Sequence, residues 1–145
     1  MAEKATVTIA FTNNKGGSGK TTTCANLGYS LSLLGKRVLL VDGDMQLNLS
    51  LSYFDEDRVL ELAAGEKNLY NGICREEDLT DYIIPTAYEN LDLIPSSTLM
   101  SGIEFELFTK WQRELILNRG LAKIKESGVY DYILIDAPPT LGGWV

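Results

Sequence analysis

Three short stretches carry residue types suited to holding a phosphorylated ligand. The first is K-G-G-S-G-K-T-T, made of Lys15, Gly16, Gly17, Ser18, Gly19, Lys20, Thr21 and Thr22. Glycines allow backbone N–H groups to turn inward around phosphate oxygens, and a helix opening there aims its positive dipole end at them. In that setting the Lys20 ammonium can reach the β and γ phosphates, and the Thr21 hydroxyl can ligate Mg²⁺. The pattern G-x-x-x-x-G-K-S/T is missed by one place, because its first glycine position is Asn14. A mere glycine turn with a solvated lysine is the bland alternative. It leaves unexplained why G-K-T-T directly follows an apolar strand and opens a helix.

The second stretch is D-G-D-M-Q-L-N, with Asp42 and Asp44 one residue apart at a strand end. Two such carboxylates can divide the labour, one holding metal-bound water and the other polarising an attacking water. Alone, this would be ordinary loop polarity; the neighbouring phosphate loop gives it weight. The third is Asp136, which closes the apolar run I-L-I and precedes Ala137-Pro138-Pro139. An acidic residue ending a buried strand can position Mg²⁺ directly or through water.

The elements that must position these residues can be read from hydropathy patterning. Residues 6–12 are β-branched and continuously apolar, which predicts a strand buried on both faces. Residues 21–34 predict a helix with an apolar stripe at positions 24, 27, 31 and 34, stopped by Gly35. Residues 37–42 form a second buried strand, so the first three elements make a right-handed βαβ unit. Short helices are expected around residues 59–64, with loops near Gly65 and Gly72, and a third strand over 91–95. A long helix over 103–127 has its apolar face at 107, 111, 115, 121 and 124 and ends at Gly128; a fourth strand covers 130–136. Repeated βα units with such strands predict an α/β fold, a mainly parallel sheet flanked by helices. The three chemical stretches then fall at the C-terminal ends of strands, where open parallel sheets bind ligands.

Composition narrows the chemistry. The chain of 145 residues contains no histidine, so imidazole bases, Ser-His-Asp groupings and His-ligated zinc are excluded. Cys24 and Cys74 are too few and too far apart for a thiolate cage, and their usage fits a reducing cytosol. The length suits a single domain over residues 1–145 that can bury a core without disulfides. No apolar run reaches the roughly 18 residues needed to span a bilayer, and no basic, apolar leader opens the chain. A cytoplasmic protein is expected. With 13 Lys+Arg against 20 Asp+Glu, the net charge of −7 argues against broad binding to nucleic-acid phosphates.

Asn13 with K-G-G-S-G-K-T-T, then D-G-D-M-Q-L-N, then D-Y-I-L-I-D-A-P-P resembles the deviant Walker A, switch I and Walker B set of the ParA/MinD ATPases, with the closest likeness to ParA/Soj partition proteins. The resemblance runs in order from Thr6 to Pro139. It implies a P-loop NTPase fold, with ATP and Mg²⁺ as ligands and ATP hydrolysis as the reaction. Lys20 would be the phosphate lysine of its own subunit and Thr21 the Mg²⁺ ligand. Asp42 and Asp136 would act on the metal through water, and Asp44 would orient the hydrolytic water. Lys15 would reach across a homodimer to the partner's phosphates, or else bind phosphate in its own subunit. A partition partner protein and non-specific DNA are further partners implied by the family, although the acidic balance does not support DNA.

Three positions depart from the family pattern: Ser18 stands for Val, Asn14 for Gln, and Met45 for the Pro of D-P-Q. Met45 frees a backbone that proline would restrain. Family members also run on well past Pro139. The chain is therefore expected to be the N-terminal portion of the fold, with one side of the first strand left uncovered and prone to pair with another chain. A non-hydrolytic nucleotide-binding or interaction module is the alternative function. An iron protein of the nitrogenase type shares K-G-G-x-G-K-S/T but needs bridging cysteines that Cys24 and Cys74 are not placed to supply.

Overall fold

The computed structural model describes residues 5–11, 19–43, 46–75, 77–97 and 110–136, of which 110–116 are described by backbone alone. Its elements are β1 (Val7–Phe11), α1 (Gly19–Leu33), β2 (Val38–Asp42), α2 (Asn48–Leu51), α3 (Glu56–Ala64), α4 (Leu69–Cys74), a 3₁₀ turn (Leu79–Tyr82), β3 (Ile84–Pro85), β4 (Leu91–Ile94), α5 (Lys110–Ser127) and β5 (Tyr132–Asp136). The sheet order is β1-β5-β2-β4-β3. All pairings are parallel except β3 with β4. The α/β, mainly parallel architecture expected from the sequence is what forms.

β2 is buried along its whole length, and its alternating side chains feed two cores. Leu39 and Val41 join Leu121, Ile124 and Ile133 on the α5 side, whereas Val38 and Leu40 join Cys24, Ala25 and Leu134 under α1. Such two-faced burial requires helices on both sides of the sheet. β1 differs from the expectation of full burial. Val7 is 48% exposed, and residues 9–11 are only half-buried. The reason is position: among the described residues β1 pairs with β5 alone and lies at the sheet's edge.

α1 keeps its sequence stripe at Cys24, Leu27 and Leu31, which lie in or against the core, but not at Leu34. Leu34 is 75% exposed, and the buried residues are Cys24, Ala25, Gly28 and Ser32. Leu34 lies just beyond the last helical residue, and Gly35, at φ +83°, turns the chain so that Lys36 N–H bonds back to Leu31 O at 3.1 Å. The small face docks because it lets the helix lie close to the sheet: a Cβ on Gly28 would sit 2.8 Å from Leu40 Cδ2.

Gly72, expected in a loop, instead lies buried inside α4, where a Cβ would collide with Leu79. Its glycine serves close packing, not a turn. Asn68 separates α3 from α4: its Nδ2 donates to Leu62 O and Gly65 O, while Oδ1 accepts the Asn71 N–H and caps α4. The short strand β3 and helix α2 have no counterpart in the sequence reading, being too brief to show a period. The part of the long helix expected over 103–109 lies outside the described residues.

Candidate functional site

The parallel register of β2 and β5 sets Asp42 directly beside Asp136 at the C-terminal ends of the two strands. Both carboxylates are fully buried. A buried carboxylate is costly unless donors surround it, so the partners of each define the site. Asp136 draws on the first turn of α1. Lys20 Nζ lies 2.5 Å from Asp136 Oδ1, and Thr21 Oγ1 donates to Oδ2 at 2.8 Å. Lys20 is itself only 6% exposed along its side chain, so this ion pair is shielded from water.

Asp42 draws instead on α2. Ser50 donates to Asp42 Oδ2 twice, from its N–H at 3.0 Å and from its hydroxyl at 2.6 Å. The chain reaches α2 through Leu47, whose φ of 62° is left-handed although its side chain is bulky and buried. Beyond α2, the Tyr53 hydroxyl donates to Ala25 O on α1 at 2.6 Å, joining the two helices. Burial holds the Tyr53 phenol up to about 12, with Cys24, Tyr88 and Tyr29 adding to the effect.

Cys24 is fully buried and feels both carboxylates. Burial pushes its thiol far above the usual range; Asp136 and Asp42 push it further, and Lys20 opposes them. The thiol stays protonated and acts as core rather than as a nucleophile.

Of the residues singled out from sequence, Lys20, Thr21 and Asp136 are brought into direct contact, with Asp42 on the adjoining strand end. Gly19 opens α1. Thr22 is exposed and lines a cavity of about 260 Å³ with Asn26, Tyr29, Ser52, Tyr53 and Tyr88. Lys15, Gly16, Gly17, Ser18 and Asp44 lie outside the described residues. Ser50 was not anticipated: it sits in the run N-L-S-L with nothing in its spacing to tie it to Asp42. The donors present, a hydroxyl and carboxylates beside an ammonium, are hard oxygens that fit Mg²⁺ shared with phosphate. Among the described residues no group of three Cys, Asp or Glu could cage a metal by itself, so water and ligand oxygens would complete its shell.

A family profile described as AAA domain (AAA_31) matches residues 6–144. The chain belongs to the AAA domain family. Among curated relatives, this AAA domain is 46% identical over 134 residues to the sporulation initiation inhibitor protein Soj of Bacillus subtilis, covering 92% of this chain and 50% of that protein. It is 38% identical over 135 residues to the chromosome partitioning protein ParA of Caulobacter vibrioides, covering 92% and 48%. The chain thus spans about half the length of the curated relatives it matches. Among solved structures, a plasmid partition protein from Borrelia burgdorferi bound to AMPPNP superposes with a TM-score of 0.77 at 29% identity, covering 92% of this chain and 53% of that one. Cobyrinic acid a,c-diamide synthase from Mycobacterium smegmatis, bound to an ATP analogue and magnesium, gives 0.78 at 34% identity, covering 96% and 52%. The fold is that of P-loop NTPases, and the ParA/Soj likeness read from the motifs is present in the relatives themselves. No described helix is long and apolar enough to cross a membrane.

Proposed function

We propose that this chain is the phosphate- and metal-handling part of a ParA-like ATPase of chromosome or plasmid partitioning, which binds Mg-ATP through a deviant Walker A loop and changes its association state on hydrolysis. The observation that carries this reading is the convergence of Lys20 and Thr21 on Asp136 at a strand end. A cation and a hydroxyl from the first turn of a helix, gathered on a buried carboxylate, form a site ready to exchange one anion for another. When ATP binds, Lys20 neutralises the β and γ phosphates, and the amides of residues 16–22 cradle their oxygens. Thr21 would hold Mg²⁺, with Asp42 and Asp136 acting on it through water. Held by these residues, Mg²⁺ would supply positive charge against the negative charge that develops on the phosphate.

Asp44 orients the attacking water. Lys15 supplies a second cation, from a partner subunit in a homodimer, and a trans cation of this kind can be worth on the order of 10³ to 10⁵ in rate. Calorimetry with ATP and Mg²⁺ tests the binding site: Lys20→Ala is expected to abolish measurable affinity, and unchanged affinity rules the site out. Asp44→Ala is expected to keep ATP and lose hydrolysis, measured in single turnover. If the parent chain binds ATP without turning it over, the non-hydrolytic module replaces the ATPase.

A further inference from the structure

We propose that Ser50 is a positioning residue for Asp42, fixing the carboxylate so that it can serve the metal of a bound nucleotide. This rests on the Mg-ATP reading above. Both donors of Ser50 converge on the same oxygen, Oδ2. Two donors on one oxygen set the plane of the carboxylate, and with it the direction of the other oxygen. The hydroxyl contact, at 2.6 Å, has the length of a charge-assisted bond.

The source of the donors is what makes Ser50 suited to this. Asp136 takes its donors from Lys20 and Thr21, the groups that a nucleotide and its metal would claim. Ser50 belongs to α2, which has anchors of its own. Leu49 is fully buried in the core beneath α1, Leu47 is buried ahead of the helix, and Tyr53 ties the segment after it to Ala25. Asp42 therefore keeps its orienting donors in both the free and the bound protein. Because α2 is held at three other points, removing the Ser50 hydroxyl takes away the shorter of the two bonds and loosens the carboxylate, with the backbone N–H left to hold it, without releasing the helix.

The test titrates a fluorescent ATP analogue into the 145-residue chain over a range of Mg²⁺ concentrations, with urea unfolding in parallel. Ser50→Ala is expected to bind nucleotide without Mg²⁺ within about twofold of the parent and to need on the order of 10-fold more Mg²⁺ for the metal-dependent gain. Ser50→Thr, which restores a hydroxyl on the same carbon, is expected to recover the parental requirement. Ser50→Cys keeps the volume with a weak donor and should fall between them; it carries the comparison if Ser50→Ala loses cooperative unfolding. A parental Mg²⁺ requirement in folded Ser50→Ala or Ser50→Cys overturns the role of Ser50 while leaving the nucleotide site standing. Parent protein whose nucleotide binding ignores Mg²⁺ overturns the reading beneath it.

Discussion

Asp42 and Asp136 are the same residue type, at the same depth, on neighbouring strands and in register, yet they are stabilised in opposite ways. Asp136 is held by two side chains from the start of α1, the Lys20 ammonium with its full charge and the Thr21 hydroxyl. Asp42 is held by a backbone N–H and a short side chain on a different helix. The first set comprises the groups that the proposed nucleotide would claim; the second belongs to α2. Burial alone does not decide what a carboxylate at a strand end can do. The element that supplies its partners does.

The contrast can be broken most forcefully at Lys20. In the ligand-free chain Lys20→Ala leaves a buried carboxylate without its cation, and urea unfolding is expected to show a loss of about 3–5 kcal/mol. A loss no larger than that of a surface lysine would show that Asp136 does not depend on this pair. Asp42→Asn keeps an acceptor for the Ser50 donors but removes the charge, for an expected loss of about 1–2 kcal/mol in the same assay. A cost equal to that of Lys20→Ala would erase the distinction between the two strand ends.

Tyr53→Phe deletes the bond to Ala25 and should cost about 1 kcal/mol near neutral pH. It also bears on alkaline stability. Tyr53 rises from 10.0 to about 12 in the folded chain, so on raising the pH the unfolded chain loses this proton first. Stability conferred by the protonated phenol is therefore full below pH 10 and declines between 10 and 12. Tyr53→Phe should make that part of the pH profile shallower, while the declines that begin near 9.0 from Cys24 and near 10.0 from Tyr130 persist. Thr22→Ala should have the smallest effect, within about 0.5 kcal/mol, since Thr22 is exposed and its neighbour Thr21 is the one bonded to Asp136.

The sequence made one strand end far more legible than the other. Lys20, Thr21 and Asp136 were recognisable because each belongs to a short pattern with its own chemical logic: glycines before a helix, or an acid closing an apolar run. Asp42 was visible for the same reason. Its partner was not, because a serine on a four-residue helix leaves no periodic trace, and only the left-handed turn at Leu47 brings it back to the strand. The parallel strands were equally plain wherever both faces are buried, as in β2. Gly28 and Gly72 read from sequence as a helix interior and a loop; their use for close packing against Leu40 and Leu79 emerges only when facing elements are in place.

β1 enters residues 12–18 from the margin of the sheet, with β5 as its one neighbour among the described residues and Val7 nearly half exposed. An edge of this kind offers unpaired N–H and C=O groups to any strand laid along it. Whatever pairs there restrains the strand leading into the residues proposed to bind phosphate. On the proposed nucleotide-binding role, pairing and binding would then be thermodynamically linked. If a strand on this margin improves nucleotide affinity by some factor, nucleotide must improve the hold on that strand by the same factor. If a second copy of the chain pairs there, sedimentation with and without nucleotide would register self-association and nucleotide binding as a single coupling constant.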